Sequence, residues 1–92
     1  MNARLVKQWE VVAGLLAEAA SQVSSLDGYS QYQEYVGHNE FELALNVLED
    51  LGEQASVNAA FWQSLKKAAE VMGLQSHYTA LRQKVRACRA AG

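Results

Sequence analysis

The sequence has 92 residues, no proline and a single cysteine. Proline breaks helices, so its absence leaves a chain rich in Ala, Leu, Glu, Gln and Lys free to form helix throughout. Cys88 alone cannot form an internal disulfide, and one Cys with two His cannot supply the four ligands of a structural zinc site. We therefore expect an all-α protein that needs no cofactor or metal.

Long apolar runs and clustered glycines are also missing. No stretch approaches the roughly 20 apolar residues that span a bilayer, and the opening MNARLVKQWEVV carries charges and no cleavage pattern. The six glycines are isolated from one another, whereas a phosphate-binding loop needs several in one turn. These absences favour a cytoplasmic protein that is not an enzyme.

Lysine and arginine are absent from residues 27–62, which carry seven acidic residues and a net charge of −7. Residues 1–26 are neutral, and residues 63–92 carry a net charge of +5, which gives −2 for the whole chain. Such separation concerns partners and association more than fold. Two interpretations remain open: the acidic and basic segments neutralise each other within the fold, or the acidic segment faces a cationic partner.

The first segment predicts a long amphipathic helix, because its apolar residues alternate at spacings of four and three. A helix of this length would extend roughly 33 to 36 Å and end at the turn signal of Asp27 and Gly28. Such a seam also suits pairing of two copies. Its members are Leu5, Trp9, Val12, Leu16, Ala19, Val23 and Leu26.

Four further helices are predicted by the same periodicity and by cap signals. A short helix carries Tyr29, Tyr32, Tyr35 and Val36 and ends at Gly37; the next begins at Asn39 with a capping box to Glu42. Ser56 or Asn58 caps a helix that Gly73 ends, and the last begins near Ser76. We expect one domain over residues 1–92, an antiparallel bundle of four main helices and one short helix. The expected buried stripes are Phe41, Ala44, Leu45, Leu48 and Leu51, then Phe61, Leu65, Ala68, Ala69 and Met72, then Tyr78, Leu81, Val85 and Cys88.

The run YSQYQEYVGHNEFE at residues 29–42 combines three tyrosines and three glutamates without a cation. Tyrosines are frequent interface anchors, and carboxylates around them accelerate encounter with a basic partner. The alternative is that the rings fill the edge of the core. The expected partner-binding residues are Tyr29, Tyr32, Glu34, Tyr35, Glu40, Glu42, Glu49 and Asp50.

The run EYVGHNEFELALNVLEDLGE, followed by FWQSLKKAAEVMGL, resembles small bacterial toxin-immunity proteins of the MafI-like helical type. The similarity covers about residues 29–74. It implies a protein made in the toxin-producing cell that neutralises a cognate toxin. Many toxins of this kind are basic nucleases, whose positive surface an acidic inhibitor would occupy in place of the nucleic acid.

Two other functions compete with this hypothesis. A structural or regulatory homodimer would pair Leu5, Trp9, Val12 and Leu16 with the same residues of a second copy. Nucleic-acid binding would use Arg82, Lys84, Arg86 and Arg89, but the acidic middle segment would repel a polyanion. We therefore expect a basic protein partner, with a homodimer as the alternative and nucleic acid disfavoured.

Overall fold

The computed structural model describes the backbone of residues 3–91 and the side chains of residues 6–90. Within that range the chain contains helices and turns and no strand, which confirms the all-α class. Four long helices and one short α-helix are present. They are α1 (Ala3–Ala20), α2 (Tyr29–Gly37), α3 (Phe41–Gln54), α4 (Ala59–Met72) and α5 (Gln75–Ala91), and a short 3-10 helix (Ser21–Val23) follows α1.

The first helix is shorter than its apolar spacing predicts. The α-helix ends at Ala20 and tightens into the 3-10 helix, instead of continuing to Leu26. Serine hydroxyls bind the backbone here: the Oγ of Ser21 donates to the carbonyl of Glu18 at 2.8 Å. Such side-chain bonds favour helix ends over helix interiors. The predicted turn is present, since Gly28 has a φ of 102° immediately before α2.

The predicted start of the third helix at Asn39 is wrong. The helix begins at Phe41 without a side-chain cap, so the capping box with Glu42 does not form. Asn39 instead takes a left-handed φ of 57°, which Asn tolerates better than most residues. In this conformation its amide donates to the carbonyl of Val36 at 3.0 Å, and the Glu40 amide donates to Tyr35 at 2.8 Å. Asn39 therefore closes α2 and does not open α3.

The ends of α4 follow the sequence prediction. The side-chain oxygen of Asn58 accepts a hydrogen bond from the Phe61 amide at 3.1 Å, so Asn58 is the cap. Gly73 ends the helix with a φ of 71°, a conformation that suits glycine. The next helix, α5, starts at Gln75, one residue before the predicted Ser76.

The core forms around α4, which packs against both α1 and α5, while α2 packs on α3. Every residue of the predicted α3 stripe is buried, as is most of the α4 stripe. Met72, Tyr78 and Cys88 are partly buried at the edge of the core. The largest fully buried side chains come from four α-helices and the 3-10 helix: Val12, Leu16, Val23, Leu45, Leu48, Phe61, Leu65 and Leu81.

The apolar seam of α1 packs inside the chain. Val12 is 1% exposed and Leu16 is fully buried among residues of the core cluster. A second copy could reach these side chains only by opening the core, so the homodimer expected through this seam has no free surface at Val12 or Leu16. Trp9 remains partly exposed. Leu5 lies outside the residues whose side chains are described.

Candidate functional site

The acidic segment is neutralised only in part by the chain's own cations. Glu53 forms an ion pair with Lys84 of α5. The Oε1 of Glu49 lies 2.7 Å from the Nδ1 of His77. Among the described side chains, Glu34, Glu40 and Asp50 are exposed and have no ion-pair partner.

The Glu49 carboxylate is therefore engaged by a side chain of the same fold. It is half-buried, and loss of hydration raises its pKa above the ordinary value of 4.5. The hydrogen bond and the charge of His77 oppose that rise, whereas neighbouring Asp50 and Glu53 add to it. The Nε2 of His77 also lies 3.9 Å from Glu42. His77 thus joins α5 to two acidic residues of α3.

The three tyrosines of α2 occupy different environments. Tyr32 is 5% exposed and belongs to the core, so little of its surface is open for the partner contact that the sequence predicts. Its ring centroid lies 5.5 Å from that of Tyr29. Burial is the main cause that raises the pKa of Tyr32, and the charge of the neighbouring Tyr29 raises it further. Tyr29 and Tyr35 are half-buried and keep part of their surface in solvent. The Tyr35 hydroxyl accepts a hydrogen bond from Gln31 at 3.3 Å.

The basic residues of α5 lie in two different environments. The Nζ of Lys84 lies 5.3 Å from the centre of the Trp62 ring while the same side chain pairs with Glu53. Lys84 is thus held against the fold. Arg82, Arg86 and Arg89 are exposed.

A cleft of about 660 Å³ lies between α1, the start of α3 and the turn from α4 to α5. We call it the α1–α3–α4 cleft. Leu43 on its wall is 43% exposed, one of two large hydrophobic side chains with such exposure among the described residues. An adjoining hollow of about 250 Å³ shares Trp9, Asn39 and Phe41 with it. The apolar lining of the cleft consists of Trp9, Val12, Phe41, Leu43, Val71, Met72 and Leu74.

The charged side chains that line this cleft are all acidic among the described residues, and the Nε2 of His77 lies 3.9 Å from one of them, Glu42. Glu40, Glu42 and Glu70 line it, and Glu10 lines the adjoining hollow. No lysine, arginine or histidine is among the described residues that line either space. The carboxyl end of α4 also reaches the cleft and adds partial negative charge, while Glu42 in the first turn of α3 offsets the positive end of that helix.

The cleft unites residues that the sequence pattern found and residues that it missed. Glu40 and Glu42 were expected contacts of a basic partner and Trp9 an expected contact of a second copy, whereas Leu43 and Glu70 were expected in neither role. Leu43 carried a usable signal, because it is a large apolar residue outside the buried stripe of its helix. Glu70 carried none, since the other acidic residues that line the cleft are distant from it in sequence.

The described residues contain no cluster of three or more His, Cys, Asp or Glu side chains that could hold a metal ion. Among the helices the structure describes, none has the length and apolar character needed to cross a membrane. No family model, curated protein or solved structure matches this chain.

Proposed function

We propose that the protein is a non-catalytic inhibitor that binds a basic protein, of the toxin-immunity type that its sequence resembles. It would act in the cytoplasm of the cell that makes the toxin, as a bundle whose neighbouring helices run antiparallel. The observation that supports this proposal is the acidic surface of Glu34, Glu40 and Asp50. In the described structure these carboxylates are exposed and are not paired with the chain's own cations.

An uncompensated acidic surface serves an inhibitor of a basic protein in two ways. Its field accelerates the encounter with a positively charged partner, and its carboxylates then pair with lysine or arginine. If the partner is a nuclease, the same contacts cover the surface that its nucleic-acid substrate requires. The half-buried rings of Tyr29 and Tyr35 add contact area at low entropic cost because they have few rotatable bonds.

The proposal is tested with the product of the gene directly upstream of this chain, which we expect to be a toxin domain, purified together with it. Glu34→Gln combined with Asp50→Asn should lower the association rate constant several-fold at low salt and change the dissociation rate little. Added salt should erase the difference, since it screens exposed charges beyond about 10 Å at 0.1 M. Stopped-flow fluorescence at several salt concentrations measures both rates.

Glu18→Gln is the matched control. Glu18 is an exposed acid on α1, outside the acidic segment, and a glutamine keeps an oxygen for its hydrogen bond with Ser64. Its association rate should stay within twofold of the unmodified protein. An upstream product that is acidic, or one that associates at a rate indifferent to salt, would contradict the proposal.

A further inference from the structure

We infer that the α1–α3–α4 cleft is the docking site for a cationic amphipathic helix of the partner protein. The apolar face of that helix would cover Trp9, Leu43 and Met72, and its lysines or arginines would meet Glu40, Glu42 and Glu70. This inference rests on the proposed function and adds the place of binding and the kind of segment bound.

The cleft leaves apolar surface open to a partner. Its volume is about 660 Å³. Leu43 is 43% exposed and Trp9 is partly exposed, so apolar surface remains for a partner to cover. Aromatic and apolar anchors in such pockets supply most of the affinity of an interface.

Charge complementarity identifies the occupant as cationic. Three carboxylates line the cleft and Glu10 lines the adjoining hollow, while no cation of the described residues lines either. Phosphate groups of lipids or nucleic acids would be repelled at this position. A segment with apolar residues on one face and lysine or arginine at its margins satisfies both the lining and the rim.

A second copy of the chain fits less well. Three of its exposed cations, Arg82, Arg86 and Arg89, lie on α5, whose apolar residues face the chain's own core. Among the described residues, α5 has no exposed large hydrophobic side chain that could enter the cleft. The basic face of a second copy could approach the rim but would leave the apolar lining uncovered.

The walls of the cleft favour a helix over an extended strand. An extended peptide binds by adding to the free edge of a sheet, and residues 3–91 form no sheet. The walls come from α1, the first turn of α3 and the end of α4, so the cleft is bounded by helices. Side-chain packing of a helix into a groove requires no such free edge.

The test uses a fluorescein-labelled synthetic peptide of 16 residues, made of leucine and lysine so that the leucines share one helical face. Fluorescence anisotropy against the full chain measures its dissociation constant. Leu43→Lys should weaken binding about tenfold or more, because it removes an apolar contact and adds a like charge. Glu42→Gln combined with Glu70→Gln should weaken binding several-fold, and most strongly at low salt.

Val11→Lys is the matched control, because Val11 is 52% exposed on α1 and is not among the residues that line the cleft. It makes the same kind of change as Leu43→Lys at another exposed helical position, and its dissociation constant should stay within twofold. Circular dichroism confirms that both variants remain folded. A scrambled peptide of the same composition, with leucines on all faces, should bind at least several-fold more weakly.

Three results would overturn the inference: equal losses with Leu43→Lys and Val11→Lys, equal binding of the scrambled peptide, or a dimer in sedimentation that Leu43→Lys separates. If the upstream toxin domain binds Leu43→Lys normally but depends on Glu34 and Asp50, the docking site is wrong and the inhibitor function stands. If the peptide binds in the cleft but the toxin domain does not bind at all, the proposed inhibitor function is wrong. The preference of the cleft for a cationic amphipathic helix then still stands.

Discussion

Gly52 lies inside α3, a position where glycine normally weakens a helix because of its backbone freedom. Packing explains its presence. A Cβ at this position would lie 2.7 Å from the Cη2 of Trp62 and would also clash with the ring of Phe61, which meets Trp62 edge-on. The missing side chain lets α3 and α4 approach closely around two aromatic rings.

Gly52→Ala is therefore expected to lower the free energy of unfolding by about 1–3 kcal/mol, the usual cost of overpacking a core. Urea denaturation followed by circular dichroism measures this change. Gly14→Ala is the control, because a Cβ at Gly14 meets nothing within 4 Å and sits within α1. That variant should gain roughly 0.5–1 kcal/mol. Equal effects at the two glycines would contradict the packing explanation.

Glu49 links residue chemistry to pH. Loss of hydration raises its pKa in the folded state above the ordinary 4.5, against the lowering effect of His77. A carboxyl with a raised folded-state pKa binds its proton more tightly when folded than when unfolded. Its contribution to stability is therefore most favourable below pH 4.5 and declines as the pH rises through the folded-state pKa.

Glu49→Gln should remove this decline, because glutamine does not titrate. The free energy of unfolding of the unmodified protein, minus that of the variant, should fall as the pH rises above about 4.5. Urea denaturation at half-unit steps from pH 4 to pH 7 measures the difference. Glu34→Gln, at an exposed acid of α2, is the control. A difference that increases with pH would show that the hydrogen bond to His77 outweighs desolvation.

At the scale of elements, the start of α4 is joined to the end of the first helical segment by hydrogen bonds between Gln22 and Asn58. The Nε2 of Gln22 donates to the side-chain Oδ1 of Asn58 at 2.9 Å, and the backbone N–H of Asn58 donates to the Oε1 of Gln22 at 3.2 Å. The same Oδ1 accepts from the Phe61 amide as the helix cap. The Asn58 side chain thus caps α4 and also binds Gln22 in the 3-10 helix that follows α1.

Asn58→Ala should lower the free energy of unfolding by about 0.5–2 kcal/mol, because the first turn of α4 loses its acceptor. Thermal unfolding monitored at 222 nm measures the loss. Ser56→Ala serves as the control at an exposed position just before the cap, and it should leave the unfolding midpoint nearly unchanged. A larger loss from Ser56→Ala than from Asn58→Ala would show that the cap has been assigned to the wrong residue.

At the scale of the whole molecule, the apolar seam of α1 packs into the chain's own core. Leu16 is fully buried, while Val11 on the same helix is 52% exposed. One helix therefore presents an apolar face to α3 and α4 and a mixed face to solvent. Val12 and Leu16 of the seam pack within the chain's own core.

Leu16→Asp should consequently unfold the protein, because a buried unpaired carboxylate costs several kcal/mol out of a total stability of about 5–15 kcal/mol. Val11→Asp is the matched control and should remain folded. Circular dichroism and sedimentation velocity together measure folding and mass. A dimeric unmodified protein that Leu16→Asp converts into folded monomers would contradict this prediction and restore the homodimer hypothesis.

The helical class and most of the buried stripes follow from the sequence because helix periodicity and cap chemistry are local. Asn58 and Gly73 act within one turn of their own positions, and both predictions are confirmed. Asn39 shows the limit of the same reasoning. The pattern fits a cap of α3, but Asn39 adopts a left-handed backbone conformation and its N–H bonds to α2 at the end of that helix.

The candidate site was decided by tertiary structure. Spacing places Tyr29, Tyr32 and Tyr35 along one helix but cannot say that only Tyr32 enters the core, since that depends on how α2 lies on α3. The cleft joins Trp9, Leu43 and Glu70 from three helices. Local sequence determines which residues form each helix, whereas the packing of distant helices determines which acids stay unpaired and which apolar residues stay uncovered.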